Sequence, residues 1–146
     1  MEIDTQVKLA VYRHFVETAG RPSPEQVAER TGLKARDVLE AYPRLRAQRV
    51  LALEEDGVNI RMAPPFSGVP TQHVVSAAGK EYYANCAWDA LGVLAALHQP
   101  GVVHSRCEQS GELLHLRVSL DGPDPSPWLF HSLVPASKWW DDIVFT

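Results

Sequence analysis

Apolar residues recur at helical intervals in the first third of the chain and at alternate positions in much of the last third. Over residues 5–18, Val7, Leu9, Ala10, Val11, Phe15 and Val16 are interleaved with Lys8, Arg13 and Glu17, which predicts an amphipathic helix. Gly20-Arg21-Pro22-Ser23-Pro24 ends it. Ser23 then offers an N-cap, with Pro24 at the first helical position and Gln26 at the third. The short helix that follows, residues 25–30, should close at Gly32, which suits a left-handed terminus. A third helix is predicted over residues 34–48, carrying Val38, Leu39, Ala41, Leu45 and Ala47, with Pro43 expected to kink or interrupt it. Residues 50–53 and 58–62 read as a hairpin turning at Asp56-Gly57. Three helices followed by a hairpin is the order of a winged helix-turn-helix unit.

Ala63-Pro64-Pro65-Phe66-Ser67-Gly68-Val69-Pro70 has the composition of a linker. A short strand is expected over residues 71–77, then an apolar helix reaching Leu97. Residues 102–108 and 112–120 alternate as paired strands joined at Gln109-Ser110-Gly111, with Leu113, Leu116, Val118 and Leu120 as core candidates in the second. The proline-rich residues 121–127 form a loop. Residues 128–134 suggest a further strand, 135–142 a turn or short helical piece, and 143–146 a closing strand. The pattern therefore predicts an α+β fold. Residues 1–62 form a three-helix winged-helix-like domain, and residues 63–146 a small mixed β-sheet domain with one buried helix.

Composition narrows the class. The chain has 146 residues, 45% hydrophobic and 22% charged, which are soluble globular values. No apolar run approaches the ~20 residues of a membrane span. Met1-Glu2-Ile3-Asp4 lacks the features of a signal peptide, so a cytoplasmic protein is expected. Its two cysteines, Cys86 and Cys107, are then expected as free thiols or soft-metal ligands. The net charge of −4 sits in residues 63–146, because residues 1–62 balance ten basic against ten acidic side chains. Lys34, Arg36, Arg44, Arg46 and Arg49 would meet phosphates if the third helix entered a DNA groove. Asp37 and Glu40 share that helix, however, and the hairpin tip is Glu54-Glu55-Asp56. Nucleic acid is not an expected partner, and a solvated charged face accounts for these positions.

The chemistry concentrates in Tyr82-Tyr83-Ala84-Asn85-Cys86-Ala87-Trp88-Asp89-Ala90-Leu91. Asn85 is the N-cap candidate, which puts Cys86 at or near the first helical position, where the helix dipole favours thiolate. Asp89 lies three residues on and above the same face. Burial would raise its pKa and let it hold a proton near neutrality, while the helix end pushes the other way. Together they offer a soft nucleophile beside an acid. A small core cysteine and a capping aspartate would leave the same spacing, so Cys-x-x-Asp alone does not separate the two readings.

These ten residues resemble the catalytic segment of the organomercurial (alkylmercury) lyase family, a Tyr-Ala-x-Cys-Ala-x-Asp string opening a buried helix. Val103-His104-Ser105-Arg106-Cys107-Glu108-Gln109-Ser110-Gly111 is similar to the family's Ser-x-Cys…Gly hairpin. The resemblance is specific over residues 70–120 and looser elsewhere. It implies that Cys86 captures mercury and that Asp89 protonates the departing carbanion, so both contact mercury of substrate origin. Cys107 matches a cysteine regarded as structural, with an auxiliary metal-binding role second. The family's lyases have a further catalytic cysteine after the segment that Trp139-Trp140-Asp141-Asp142-Ile143-Val144-Phe145-Thr146 resembles, and none follows here.

The resemblance implies no organic cofactor. It implies a small organometallic or other soft electrophile as partner, external thiols to remove the product, and a role in detoxification. The alternative is a thiol-based metal-binding or metal-responsive winged-helix regulator without lyase activity. His73, His98, His104, His115 and His131 lack metal-site spacing, and Trp128, Trp139 and Trp140 read as core or pocket wall. Cys86 and Asp89 must face a shared cavity roomy enough for a guest molecule for the lyase chemistry to work.

Overall fold

The computed structural model describes residues 1–145. Helix α1 (Ile3–Thr18) packs against α2 (Pro24–Thr31) and α3 (Ala35–Ala47). The signals bounding α2 act as predicted. Ser23 Oγ accepts from the Gln26 backbone N–H, the Gln26 side chain accepts from the Ser23 N–H, and Gly32 closes the helix at φ 76°. Such a cap contributes about 1 kcal/mol. Helix α3 runs on through Pro43 for 13 residues instead of breaking there. Its face of Val38, Ala41, Tyr42 and Leu45 is buried against α1 and α2, and that burial outweighs the missing hydrogen bond.

Three strands follow: β1 (Ala52–Leu53), β2 (Ile60–Ala63) and β3 (Phe66–Ser67), in the order β1-β2-β3. The Asp56-Gly57 turn lies between β1 and β2 as expected. Gly57 is left-handed at φ 67°, and the Asp56 carboxylate accepts from the Val58 and Asn59 N–H groups. The expected linker is partly a strand. Its Pro64-Pro65 pair turns the chain back, and Phe66 pairs with Ala63. The cause is Phe66, too large and apolar to lie in a solvated linker. It is 1% exposed, stacked on Phe15 at 5.4 Å and tilted against Tyr82 at 5.8 Å and Tyr12 at 6.3 Å.

The second sheet contains β4 (Val74–Ala77), β5 (Lys80–Tyr83), β6 (Gly101–Arg106), β7 (Leu113–Ser119) and β8 (Gly122–Pro123), in the order β5-β4-β6-β7-β8. Every pairing is antiparallel, which narrows the mixed sheet expected within the α+β class. Because β5 and β6 both run against β4, they share a direction, and α4 (Ala87–Leu97) carries the chain from one to the other. It packs on β4 and β6.

Several expectations are corrected. Helix α4, expected to be buried all round, buries only Ala90, Val93 and Leu94, whereas Trp88 is 55% exposed. A helix laid on one face of a single sheet has only one covered side. Leu113 and Leu120 are likewise exposed, at 71% and 75%, while Val118 is buried. Leu113 has the opposite parity to Leu116 and Val118 and so points to the other face of the strand, whereas Leu120 lies beyond the end of β7 at Ser119. Residues 128–134 form no strand, since none of the sheet pairings reaches them, and Leu129 and Leu133 lie open. A 3₁₀ turn, Ala136–Asp141, occupies the expected helical piece. Residues 143–145 are a turn and not a closing strand, and Thr146, the last residue of that expected strand, lies outside the described residues.

One hydrophobic cluster runs from Val7, Val11 and Phe15 on α1 through Phe66 and Tyr82 to Val93 and Leu94 on α4. Tyr82 Oη donates to the Val16 carbonyl at 2.6 Å, tying the second sheet to the first helix. Cutting Phe66 back to alanine in such a core typically costs about 3–5 kcal/mol. Among the described residues, no helix is long and apolar enough to cross a membrane.

Candidate active site

The chain leaves β5 through Ala84 and Asn85 and enters α4 at Cys86. Cys86 is itself the N-cap, with extended backbone at φ −153° and ψ 179°, one residue later than expected. Its Sγ accepts from the Asp89 N–H at 3.4 Å, the role an oxygen cap usually fills. Asn85 is therefore free of capping. Its amide nitrogen donates to the carbonyls of Pro65 (3.3 Å) and Phe66 (3.2 Å) and to Asp89 Oδ2 (3.1 Å). Asn85, Cys86 and Asp89 are all half-buried at the mouth of the helix.

The neighbouring turn closes over this mouth. A Cβ placed on Gly92 would stand 3.1 Å from Cβ of Pro65, so α4 and the β2–β3 turn meet at a position with no room for a larger side chain. Tyr12, from α1, donates to the Pro64 carbonyl at 2.8 Å. Its phenol is pushed up to about 12, first by burial and then by the negative charge of Asp89. A residue 77 positions before Asp89 thus lies close enough to feel its charge. Nothing in the sequence marks it, because its interval on α1 is that of a packing residue. Trp88 stands on the outer side and meets Phe130 with ring centres 5.7 Å apart.

The electrostatics correct one expectation and support another. The Cys86 thiol is pushed up, first by burial and then by the Asp89 carboxylate, and the N–H groups of the first turn only partly offset this. The helix end thus does not produce a resting thiolate. The Asp89 carboxyl is also pushed up by burial, against the pull of the Asn85 hydrogen bond. Burial thus raises the pKa of both groups, and the Asp89 charge adds to the shift of Cys86.

Cys107 lies elsewhere. It begins the β6–β7 turn, whereas Cys86 follows β5, and β4 runs between those strands. Both cysteines are free thiols. Near the Cys107 turn is a buried polar cluster that the sequence does not signal. His73 Nδ1 shares a 2.6 Å hydrogen bond with Ser105 Oγ, and its Nε2 stands 3.6 Å from Glu108. Among the described residues, no three His, Cys, Asp or Glu side chains gather to hold a metal ion. Two clefts open beside the hairpin tip, one of about 350 Å³ with Arg46, Arg49 and Trp140 in its wall and one of about 650 Å³ with Arg21, Glu54 and Arg61. Neither is lined by Cys86 or Asp89. Cys86 and Asp89 lie instead at the α4 mouth, where the Asp89 charge raises the pKa of the thiol.

Compared with known proteins, residues 66–146 match the family described as alkylmercury lyase. No curated protein matches the chain. Among solved structures, the mercury-bound form of MerB2 superimposes with a TM-score of 0.62 at 19% identity, covering 86% of this chain and 67% of that one. At that identity the likeness establishes a shared fold.

Proposed function

The chain belongs to the alkylmercury lyase family, and from that premise we propose that it cleaves carbon–mercury bonds with Cys86 as the capturing thiol and Asp89 as the proton donor. The observation that supports this best is the pairing of the two groups on one helical turn. Asp89 donates its N–H to Cys86 Sγ, and its carboxyl is held toward the protonated form by burial.

In this reading, mercury of an organomercurial R–Hg–X bonds to Cys86 sulfur, and the thiol proton leaves with X as HX. Thiolate is the preferred ligand of so soft a cation. The proton on Asp89 is then transferred to carbon. The electron pair of the carbon–mercury bond becomes the new carbon–hydrogen bond, R–H departs, and Hg(II) stays on sulfur beside the Asp89 carboxylate. General-acid assistance of this kind is worth about 10²–10⁴-fold. Two external thiols then take the metal as a dithiolate, and their protons restore the Cys86 thiol and the Asp89 carboxyl. Cys107 is an auxiliary thiol away from the reacting atoms. Residues 1–62 act as the scaffold that sets Tyr12 on the Pro64-Pro65 turn and Phe15 on Phe66, and residues 63–146 carry the chemistry.

The regulator alternative draws no support from the charges on α3. Arg44 is bound by Asp4 at 2.7 Å, and Arg36 lies within ion-pair reach of Asp37 and Glu40. The discriminating experiment is incubation with an organomercurial and excess small-molecule thiol, following protein mass and freed hydrocarbon. Catalytic hydrocarbon release is expected. A stable mercury adduct without hydrocarbon would mark a binder and end the lyase reading.

A further inference from the structure

Asn85 has no part in the chemistry described so far, yet its two amide N–H groups serve three acceptors at the α4 mouth, one of them shared. Two of its acceptors, the carbonyls of Pro65 and Phe66, cannot donate. They dictate which end of the amide faces them, because turning the amide over would set its oxygen against both. The orientation holds even though it leaves Asn85 Oδ1 buried and without a hydrogen-bond partner among the described residues. The carbonyls are themselves held in place. Pro65 is pressed against Gly92 of α4, and the Pro64 carbonyl accepts from Tyr12 Oη.

The consequence falls on Asp89. The remaining contact of the Asn85 amide is a donation to Asp89 Oδ2 at 3.1 Å. An oxygen already accepting an N–H is the poorer seat for the proton of a neutral carboxyl, which leaves Oδ1 to carry it. We propose that Asn85 is a positioning residue that selects Oδ1 of Asp89 as the proton-bearing oxygen and so fixes the direction in which the acid delivers its proton. This rests on the reading of Asp89 as the proton donor and adds the residue that orients it.

The titratable groups facing Asp89 are the Cys86 thiol on its own helix and the Tyr12 phenol on α1. Both are pushed up and stay neutral in the acid range, so a carboxyl titration there reports Asp89. The test has two arms, run on the full chain. In the first, without substrate, the Asp89 side-chain carboxyl carbon is titrated by NMR in the wild type, Asn85→Ala and Asn85→Ser, with Asp89→Asn identifying the signal. Asn85 donates to the carboxylate, so its loss should move the Asp89 midpoint upward in Asn85→Ala and by less in Asn85→Ser, whose hydroxyl keeps a donor. In the second arm, Asn85→Ala should capture an organomercurial with unchanged stoichiometry while hydrocarbon release falls roughly 10- to 100-fold.

An unmoved midpoint in a variant with native near-UV circular dichroism overturns the proposal. So does an equal loss of capture and release, which is what a merely structural role would give. If Asn85→Ala fails to fold, the same measurements on Asn85→Ser decide. Absence of hydrocarbon from the wild type counts against the lyase reading alone, whereas the titration needs no substrate and tests Asn85 independently.

Discussion

The two cysteines occupy opposite chemical environments, and on reactivity alone Cys107, not the proposed Cys86, looks like the nucleophile. Cys107 lies in the β6–β7 turn, where the Ser110 hydroxyl and the Ser110 and Gln109 N–H groups stabilise its thiolate and pull its pKa down. Cys86 lies at the α4 mouth, where burial and Asp89 push its pKa up. A lowered pKa favours attack on an ordinary electrophile. Breaking a carbon–metal bond asks for something else: a thiol to hold the metal and an adjacent acid that still has its proton. The apolar packing around α4 raises both pKa values together, so the same burial that quiets the sulfur also shifts the carboxyl toward its protonated form. The Cys107 turn has a readier thiol and no buried acid beside it.

The contrast can be broken most sharply by removing sulfur. In a Cys107→Ser background, Cys86→Ser should abolish the mercury adduct seen by mass spectrometry, since a hydroxyl is a poor ligand for a soft cation. A retained adduct would remove Cys86 from its role. Next in size, Asp89→Ala should still form the adduct but release hydrocarbon about 10²–10⁴-fold more slowly, measured by gas chromatography. Cys107→Ser alone should leave that release essentially unchanged. A smaller effect separates the thiols without mercury. Iodoacetamide at neutral pH should label Cys107 before Cys86, with the gap narrowing as pH rises toward the Cys86 pKa. Peptide mapping that found Cys86 labelled first would invert the comparison.

The smallest effect is on stability. The folded-state pKa of Asp89 is raised, so the native state binds more protons than the unfolded chain between the ordinary carboxylate pKa and the raised one. Its ionisation therefore destabilises the fold as pH rises through that window, and the penalty is relieved below it. Asp89→Asn should raise Tm modestly at pH 7, with the gain disappearing as the pH is lowered below the ordinary Asp range. His73 runs the other way. Its pKa is lowered chiefly by burial, so stability is lost as pH falls from the ordinary histidine value toward the lowered one. A thermal-shift series across pH in the wild type and Asp89→Asn separates the two slopes.

Much of this molecule is legible in the chain because the deciding interactions are short. The Ser23–Gln26 capping box, the Gly32 terminus, the Asp56-Gly57 turn and the β6–β7 pair each depend on residues within one hairpin or one helical turn. The pairing of Cys86 with Asp89 is of the same kind, since a cap side chain reaches the N–H three residues on. The pattern misleads where a residue's fate lies with a distant partner. Phe66 reads as part of a linker until Phe15 and Tyr82 close on it. Residues 128–134 read as a strand but find no edge to join. Asn85 reads as the cap, but the carbonyls of Pro65 and Phe66 claim its amide and leave the cap to sulfur.

The sequence by itself placed Cys86 and Asp89 at the start of one helix, and its likeness to the alkylmercury lyase family made them the candidate pair. Only the tertiary structure decided the direction of their pKa shifts, which face of α4 is covered, and that Tyr12 and the Pro64-Pro65 turn stand beside the α4 mouth. Desolvation and hydrogen-bond direction are set by whatever atoms stand opposite, and here those atoms belong to residues many positions away along the chain.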